Sequence, residues 1–251
     1  MGIFNVIIYQ PIYNLLIFLY SILWNDLGLA IIALTIVIKL LFIPLSKKQI
    51  ESQKELQKIQ PKIKELQKKY KNDKETQSRK MMELYKEHKI NPAAGCLPLV
   101  AQMVVFVSMY RIIGGLTKND NFQVNLDNLY SFINHSDHVE KIFMGFLDLS
   151  IASIPLAIIT AGLQYYQIKM MQQKNEKKQS EENTGKDAGT PDMAAMMSKQ
   201  MAIIIPMVIL FSGFSLPSGL VLYWLTSTAF AIVQQWMIMH KEDTEVEKLS
   251  N

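Results

Sequence analysis

Apolar residues gather into long blocks along this chain, and strongly polar stretches separate them. Charge is nearly absent from residues 1–46, where only Asp26 and Lys39 carry it, and it is absent from 97–110 and 201–240. It concentrates instead in 47–89, in 169–199 and in the tail. A single soluble core spreads its apolar positions through every amphipathic element, whereas blocks of this kind mark a polytopic membrane protein.

The blocks predict an all-α integral membrane protein with five transmembrane helices. The first covers 26–46, with Pro44 and then "SKKQ" at its close. The second covers 94–115, with Arg111 near its end, and the third 146–171, with Asp148 near its start. Spans over 199–216 and 217–239 complete the set, parted by the breakers of "LPSG". Ahead of them, residues 1–25 form an amphipathic stretch in which Gln10, Asn14, Ser21 and Asn25 fall near one helical face. That stripe predicts a helix lying in the interface with Trp24 at headgroup level; a sixth span is the competing reading.

Between the first two spans, residues 47–93 are patterned in their own right. Leu56, Ile59, Ile63, Leu66 and Tyr70 recur at 3, 4, 3 and 4, a coiled-coil seam. "KNDK" at 71–74 supplies a turn, and Met81, Met82, Leu84, Tyr85 and His88 mark a returning helix. The expectation is an antiparallel helical hairpin kinked at Pro61, whose Lys-rich flanks suit anionic lipid or an acidic partner; a merely solvated hairpin is the plain alternative. Residues 116–145 form an outer loop and 172–198 a flexible polar one, with no aromatic residue in 172–192. Residues 240–251 form the tail.

Basic residues set the orientation. Segment 47–93 carries 14 Lys/Arg and 169–199 carries six, against only two, Lys118 and Lys141, in 114–142. The positive-inside rule then places 47–93, 169–199 and the C-terminus in the cytoplasm and the N-terminus outside. The net charge of +4 adds little: the basic residues flank membrane segments and no nucleic-acid recognition module surrounds them. The single cysteine, Cys96, excludes an internal disulfide and any CxxC pair. The N-terminus lacks the early positive charge and cleavage site of a secretory signal, and Val6 breaks the myristoylation pattern.

Against this background Lys39 stands out. An ammonium deep in a membrane helix costs about 2.5–3.5 kcal/mol on insertion scales. Lys39 lies eight residues before Lys47, roughly 12 Å along a helix, so it sits within the inner-leaflet half of the bilayer. One reading is a snorkelling lysine; the other is a wet cavity among the helices. Gln102 and Ser108 on the second span, Thr160 and Gln164 on the third, and Thr226, Ser227, Thr228 and Gln234 on the fifth favour the cavity. Taken singly, such residues are interhelical hydrogen bonds. Together with a lysine facing no Asp or Glu at matching depth, they predict a hydrophilic groove, open to the cytoplasm, and an amine unpaired within the chain. The candidate substrate-contacting set is Lys39, Gln102, Gln164, Tyr223, Trp224, Thr226 and Ser227. The short apolar runs 97–113 and 201–216 are expected to thin the adjoining bilayer, easing passage of a polar polypeptide segment.

These residues resemble a known family. "GLAIIALTIVIKLLFIPLSKKQIESQKELQKIQPKIKELQKKYKND", then "LYKEHKINPAAGCLPLVAQMVVF", and finally "SLPSGLVLYWLTSTAFAIVQQW" are similar to the YidC/Oxa insertases, in order from about 27 to 239. The third span matches more loosely. The resemblance implies a short Gram-positive-like form in the bacterial plasma membrane, with nascent membrane proteins as substrates and lateral release into the lipid bilayer. It also implies action as a monomer, with the Sec translocon and the ribosome as further candidate partners. In the family a positive residue of the first core span receives acidic residues of the incoming protein, and that position here is Lys39. The family usually carries arginine there; lysine keeps the charge but lacks the bidentate fork. No large extracytoplasmic domain is expected before the core. The tail "HKEDTEVEKLSN" has four acidic residues against two lysines, which gives no support to a basic ribosome-binding tail.

Two rival classes remain at this stage. A small-ion transporter would use Lys39 as an anion site, but inverted repeats and paired broken helices are lacking. An intramembrane enzyme would need a Ser–Lys, paired-Asp or HExxH arrangement, and none is present. His135 and His138 in "HSDH" fall in the outer loop, and Cys96 reads as a packing residue. The sequence therefore predicts no enzyme, no cofactor and no metal.

Overall fold

The computed structural model describes residues 2–88, 97–118, 124–133, 138–182 and 193–250. The described residues are mainly helical, with one short hairpin among them, β1 (Ile142–Phe143) against β2 (Leu147–Asp148). A π-helical turn, Asn5–Tyr9, runs directly into α1 (Gln10–Ile22). Trp24 and Asn25, both at positive φ, reverse the chain. Asp26 then caps α2 (Leu27–Leu41), its Oδ1 accepting from the Leu29 amide at 3.0 Å and its Oδ2 from Met144 at 2.9 Å. One carboxylate thus starts a helix and ties it to the β-hairpin. Gly28 makes that contact close, because a Cβ there would overlap the Phe143 ring.

Pro44 does not close α2. The helix ends at Leu41, and α3 (Ile43–Lys58) restarts at once with Pro44 in its first turn, where a missing N–H costs nothing. After a break at Ile59, α4 (Gln60–Lys69) has Pro61 in its first turn, and Asp73 caps the returning α5 (Lys74–Glu87). Ile59, Ile63 and Leu84 form a small core of their own, covered by Leu56, Leu66, Met81 and Tyr85. Met82 is exposed, and His88 Nε2 lies 3.2 Å from Lys62 Nζ at the helix end.

The main core packs α1, α2, α6 (Leu97–Lys118), α7 (Ile154–Glu182) and α9 (Ser218–Ser250), with α8 (Met193–Ser212) against α7. Gly213 at the end of α8 abuts Ala157, where a Cβ would overlap the Ala157 methyl. The third apolar block does not begin a helix at 146. Its first residues form β2 and a turn, whose Leu149 and Ile151 carbonyls accept from the Gly219 and Ser218 amides of α9 at 3.0 and 2.8 Å. Nor is 172–182 a loop: α7 continues as helix to Glu182, and α9 runs on as helix through the tail to Ser250. Both stretches are rich in Lys and Glu, the first also in Gln, and hold no Gly or Pro, so helix propensity persists where apolarity stops. Of the rest of the predicted flexible loop, 193–198 form the start of α8 and 183–192 lie outside the described residues, as do His135 and all of "NPAAGC", Cys96 included.

Residues 23–26, 124–133, 138–153 and 213–217 share one end of the bundle. Along it α1 makes a series of contacts. Tyr13 Oη accepts from the Asn125 amide (2.7 Å), Asn14 bonds Asn128 O and the Tyr130 amide (2.7 and 2.6 Å), and Tyr20 Oη accepts from Glu140 (2.8 Å). At the opposite end α3, α4 and α5 form the hairpin.

Candidate functional site

Lys39 projects from the last turn of α2 and is half-buried. Its Nζ donates to Gln102 Oε1 of α6 at 2.9 Å. The amine is therefore not unpaired, as the sequence suggested; its partner is a neutral amide. An amide oxygen occupies one of three ammonium donors and leaves the charge uncompensated. No carboxylate pairs with Lys39 among the described residues.

Gln102 gathers three helices. Its Oε1 also faces Ser227 Oγ of α9 at 3.4 Å, while its Nε2 donates to Tyr223 Oη at 2.6 Å. Tyr223 and Ser227 are one turn apart, so a single row of α9 meets α2 and α6. The next row turns to α7. Trp224 Nε1 and Thr228 Oγ1 donate to Gln164 Oε1 at 3.3 and 3.0 Å, and Gln164 Nε2 donates to Gln167 at 2.9 Å. The Trp224 ring meets Phe106 of α6 edge-on at 5.4 Å.

Six of the seven predicted residues thus fall into two adjoining polar clusters, separated by one residue step along α9. Thr226 joins neither: its hydroxyl donates back to Leu222 O at 2.9 Å, the usual outlet for a helical threonine. Ser108 and Thr160 are likewise back-bonded, to Val104 and Leu156. Thr228, at the i+4 position from Trp224, belongs with the set. So does Gln167, one turn from Gln164, and the same spacing rule finds both. Two turns past Ser227, the Nε2 of Gln234 is buried and has no hydrogen-bond partner among the described residues.

A cavity of ≈ 580 Å³ lies elsewhere, at the loop end, between Asn5, Tyr9, Arg111, Asn125 and Leu220. None of the seven predicted residues lines it. His138 is exposed at the same end.

With this arrangement in view, the similarities of the whole chain become decisive. The model of the 60Kd inner membrane protein family matches residues 18–245. The chain belongs to that family. Relatives include the membrane protein insertase YidC of Fusobacterium nucleatum, 33% identical over 238 residues, covering 92% of this chain and 98% of that one. YidC of Pelobacter propionicus is 34% identical over 240 residues, covering 95% of this chain. This chain spans only 39% of the Pelobacter protein's length. A solved structure, an active YidC insertase with its first transmembrane domain resolved, superposes with a TM-score of 0.57 at 25% identity, over 93% of this chain and 46% of that one. The polar clusters on α2, α6, α7 and α9 therefore sit within a YidC-type fold of an inner membrane protein family.

Proposed function

We propose that the chain is a membrane protein insertase that receives nascent membrane proteins at the Lys39–Gln102–Tyr223–Ser227 cluster and releases them laterally into lipid. In this reading α2, α6, α7, α8 and α9 span the bilayer, the hairpin of α3, α4 and α5 lies in the cytoplasm, and α1 lies along the outer interface. The contacts of Tyr13, Asn14 and Tyr20 with residues 125–140 support the last assignment, although Asn5–Ile22 is long and apolar enough to cross a membrane.

The single observation that carries the proposal is the half-buried Lys39 ammonium, held by a neutral amide and surrounded by side chains that both donate and accept. Such a site attracts an acidic flank of an incoming chain without binding it permanently. Gln102 and Ser227 can exchange their mutual bonds for bonds to a polypeptide, and Trp224 and Phe106 offer an apolar wall beside them. Once the substrate's apolar segment enters lipid, burial of its apolar surface drives the release. No covalent step is required, so the chain acts without catalytic residues or cofactor, and a monomer suffices.

Complementation of an insertase-depleted bacterium tests the reading. The chain is expected to restore growth and insertion of single-span proteins with acidic outer tails, and Lys39→Arg is expected to do the same. Lys39→Glu, at equal membrane abundance, is expected to fail. Full activity of Lys39→Glu rejects the charge mechanism; failure of the parent chain rejects the function.

A further inference from the structure

Arg111, in the last third of α6, plays no part in the clusters around Lys39. It lies nine residues beyond Gln102, which on an α-helix is half a revolution away. Its guanidinium sits 4.8 Å from the Tyr9 ring centroid and 5.8 Å from that of Phe4, and its Nη1 donates to Asn5 at 2.8 Å. These contacts fix the plane of the group but use one of its five N–H donors. Among the described residues no carboxylate pairs with it, and the ≈ 580 Å³ cavity opens beside it, lined by the neutral polar groups of Asn125, Asn128 and Ser215.

The face of α6 below Arg111 is apolar and uncovered. Val100, Met103, Val107 and Tyr110, spaced 3, 4 and 3, are all exposed, whereas Val105, Met109, Ile112, Ile113 and Leu116 on the other side are buried. From Val100 to Tyr110 the stripe runs about 15 Å at 1.5 Å per residue, which is one leaflet of a hydrocarbon core about 30 Å thick.

We propose that this end of α6 binds an anionic phospholipid, with the lipid phosphate on Arg111 in the cavity and an acyl chain along Tyr110, Val107, Met103 and Val100. A free phosphate offers a guanidinium the same kind of oxygen acceptors but leaves the apolar stripe unused; a lipid engages both. The inference rests on the family's membrane location and not on insertase activity, so it stands or falls separately.

The test is native mass spectrometry of the full chain, released from micelles holding equal amounts of phosphatidylglycerol and phosphatidylcholine. The parent chain is expected to retain phosphatidylglycerol about fivefold over phosphatidylcholine, the factor one interfacial arginine supplies. Arg111→Gln is expected to abolish the preference. Lys141→Gln, which removes a cation of the same end already paired with Asp148 at 3.1 Å, is expected to leave it intact. Val107→Asn keeps the guanidinium and interrupts the stripe, and is expected to reduce total lipid retained. Equal retention of both lipids by the parent chain overturns the proposal whether or not the variants fold, as does an unchanged preference in Arg111→Gln. Displacement of phosphatidylglycerol by millimolar inorganic phosphate also overturns it, by revealing a small-anion site.

Discussion

Lys39 Nζ and Gln102 Oε1 meet at 2.9 Å across 63 residues of sequence, joining α2 to α6 through an ion and a neutral amide. A carboxylate in place of the amide would hold the lysine as a closed ion pair, and the cation would no longer be available to anything else. On the proposed mechanism the amide keeps the cation available to a substrate, and this can be tested without touching the lysine.

Gln102→Glu is expected to keep the fold, with a thermal midpoint at or above that of the parent chain, because an ion pair replaces a bond between an ion and a neutral amide. Insertion of substrates with acidic outer tails is expected to fall well below that of the parent chain. Gln102→Leu, which strands both Lys39 and Tyr223, is expected to lose about 1–3 kcal/mol of stability instead. Differential scanning fluorimetry in detergent and an insertion assay on the same preparations separate the two effects.

The contact of α7 with α8 depends on the absence of a side chain at Gly213. Gly213→Ala drives a methyl into that of Ala157, and overpacking of this kind costs about 1–3 kcal/mol. Ala157→Gly makes room for the new methyl. In a double-mutant cycle read by thermal unfolding, the pair is expected to recover at least half of the loss, and additive losses would place the strain elsewhere.

At the loop end, burial alone would raise the Asp148 pKa, yet bonds from the Ser150 hydroxyl and amide and from the Lys141 ammonium hold its carboxyl below the usual carboxylate range. A depressed pKa in the folded state contributes stability above the unfolded pKa of about 3.9, and that contribution fades as pH falls through the folded value. Asp148→Asn is therefore expected to lower the thermal midpoint at pH 7, and the difference from the parent chain is expected to shrink steadily below pH 4. A difference independent of pH would assign the effect to packing of the turn against α9.

Much of this was legible in the sequence because charge and apolarity are read residue by residue. The blocks located α2, α6, α8 and α9, and the 3, 4 spacing of Leu56, Ile59, Ile63 and Leu66 located the hairpin core. Lys39 stood out by its own cost of burial. What stayed hidden depends on who faces whom. Nothing local tells Thr226, which bonds its own helix, from Ser227, which bonds another, since both are small hydroxyls one step apart. The start of α7 was misplaced because Leu147, Leu149 and Ile151 are as apolar as a span. Leu149 and Ile151 serve instead as a strap for the first turn of α9, a pairing fixed by backbone groups that carry no sequence signature. In the sequence Arg111 marks only a helix end, since its partners Asn5 and Tyr9 lie more than a hundred residues away.

The central claim is that the Lys39 charge holds the acidic flank of an incoming chain, and a charge exchange tests it most directly. Insertion of a single-span substrate is measured with its outer tail carrying either two aspartates or two lysines, in cells whose only insertase is the parent chain or Lys39→Glu. The account predicts that the parent chain inserts the aspartate tail and Lys39→Glu does not, and that Lys39→Glu inserts the lysine tail better than the parent chain does. Indifference of both chains to the sign of the tail would contradict it.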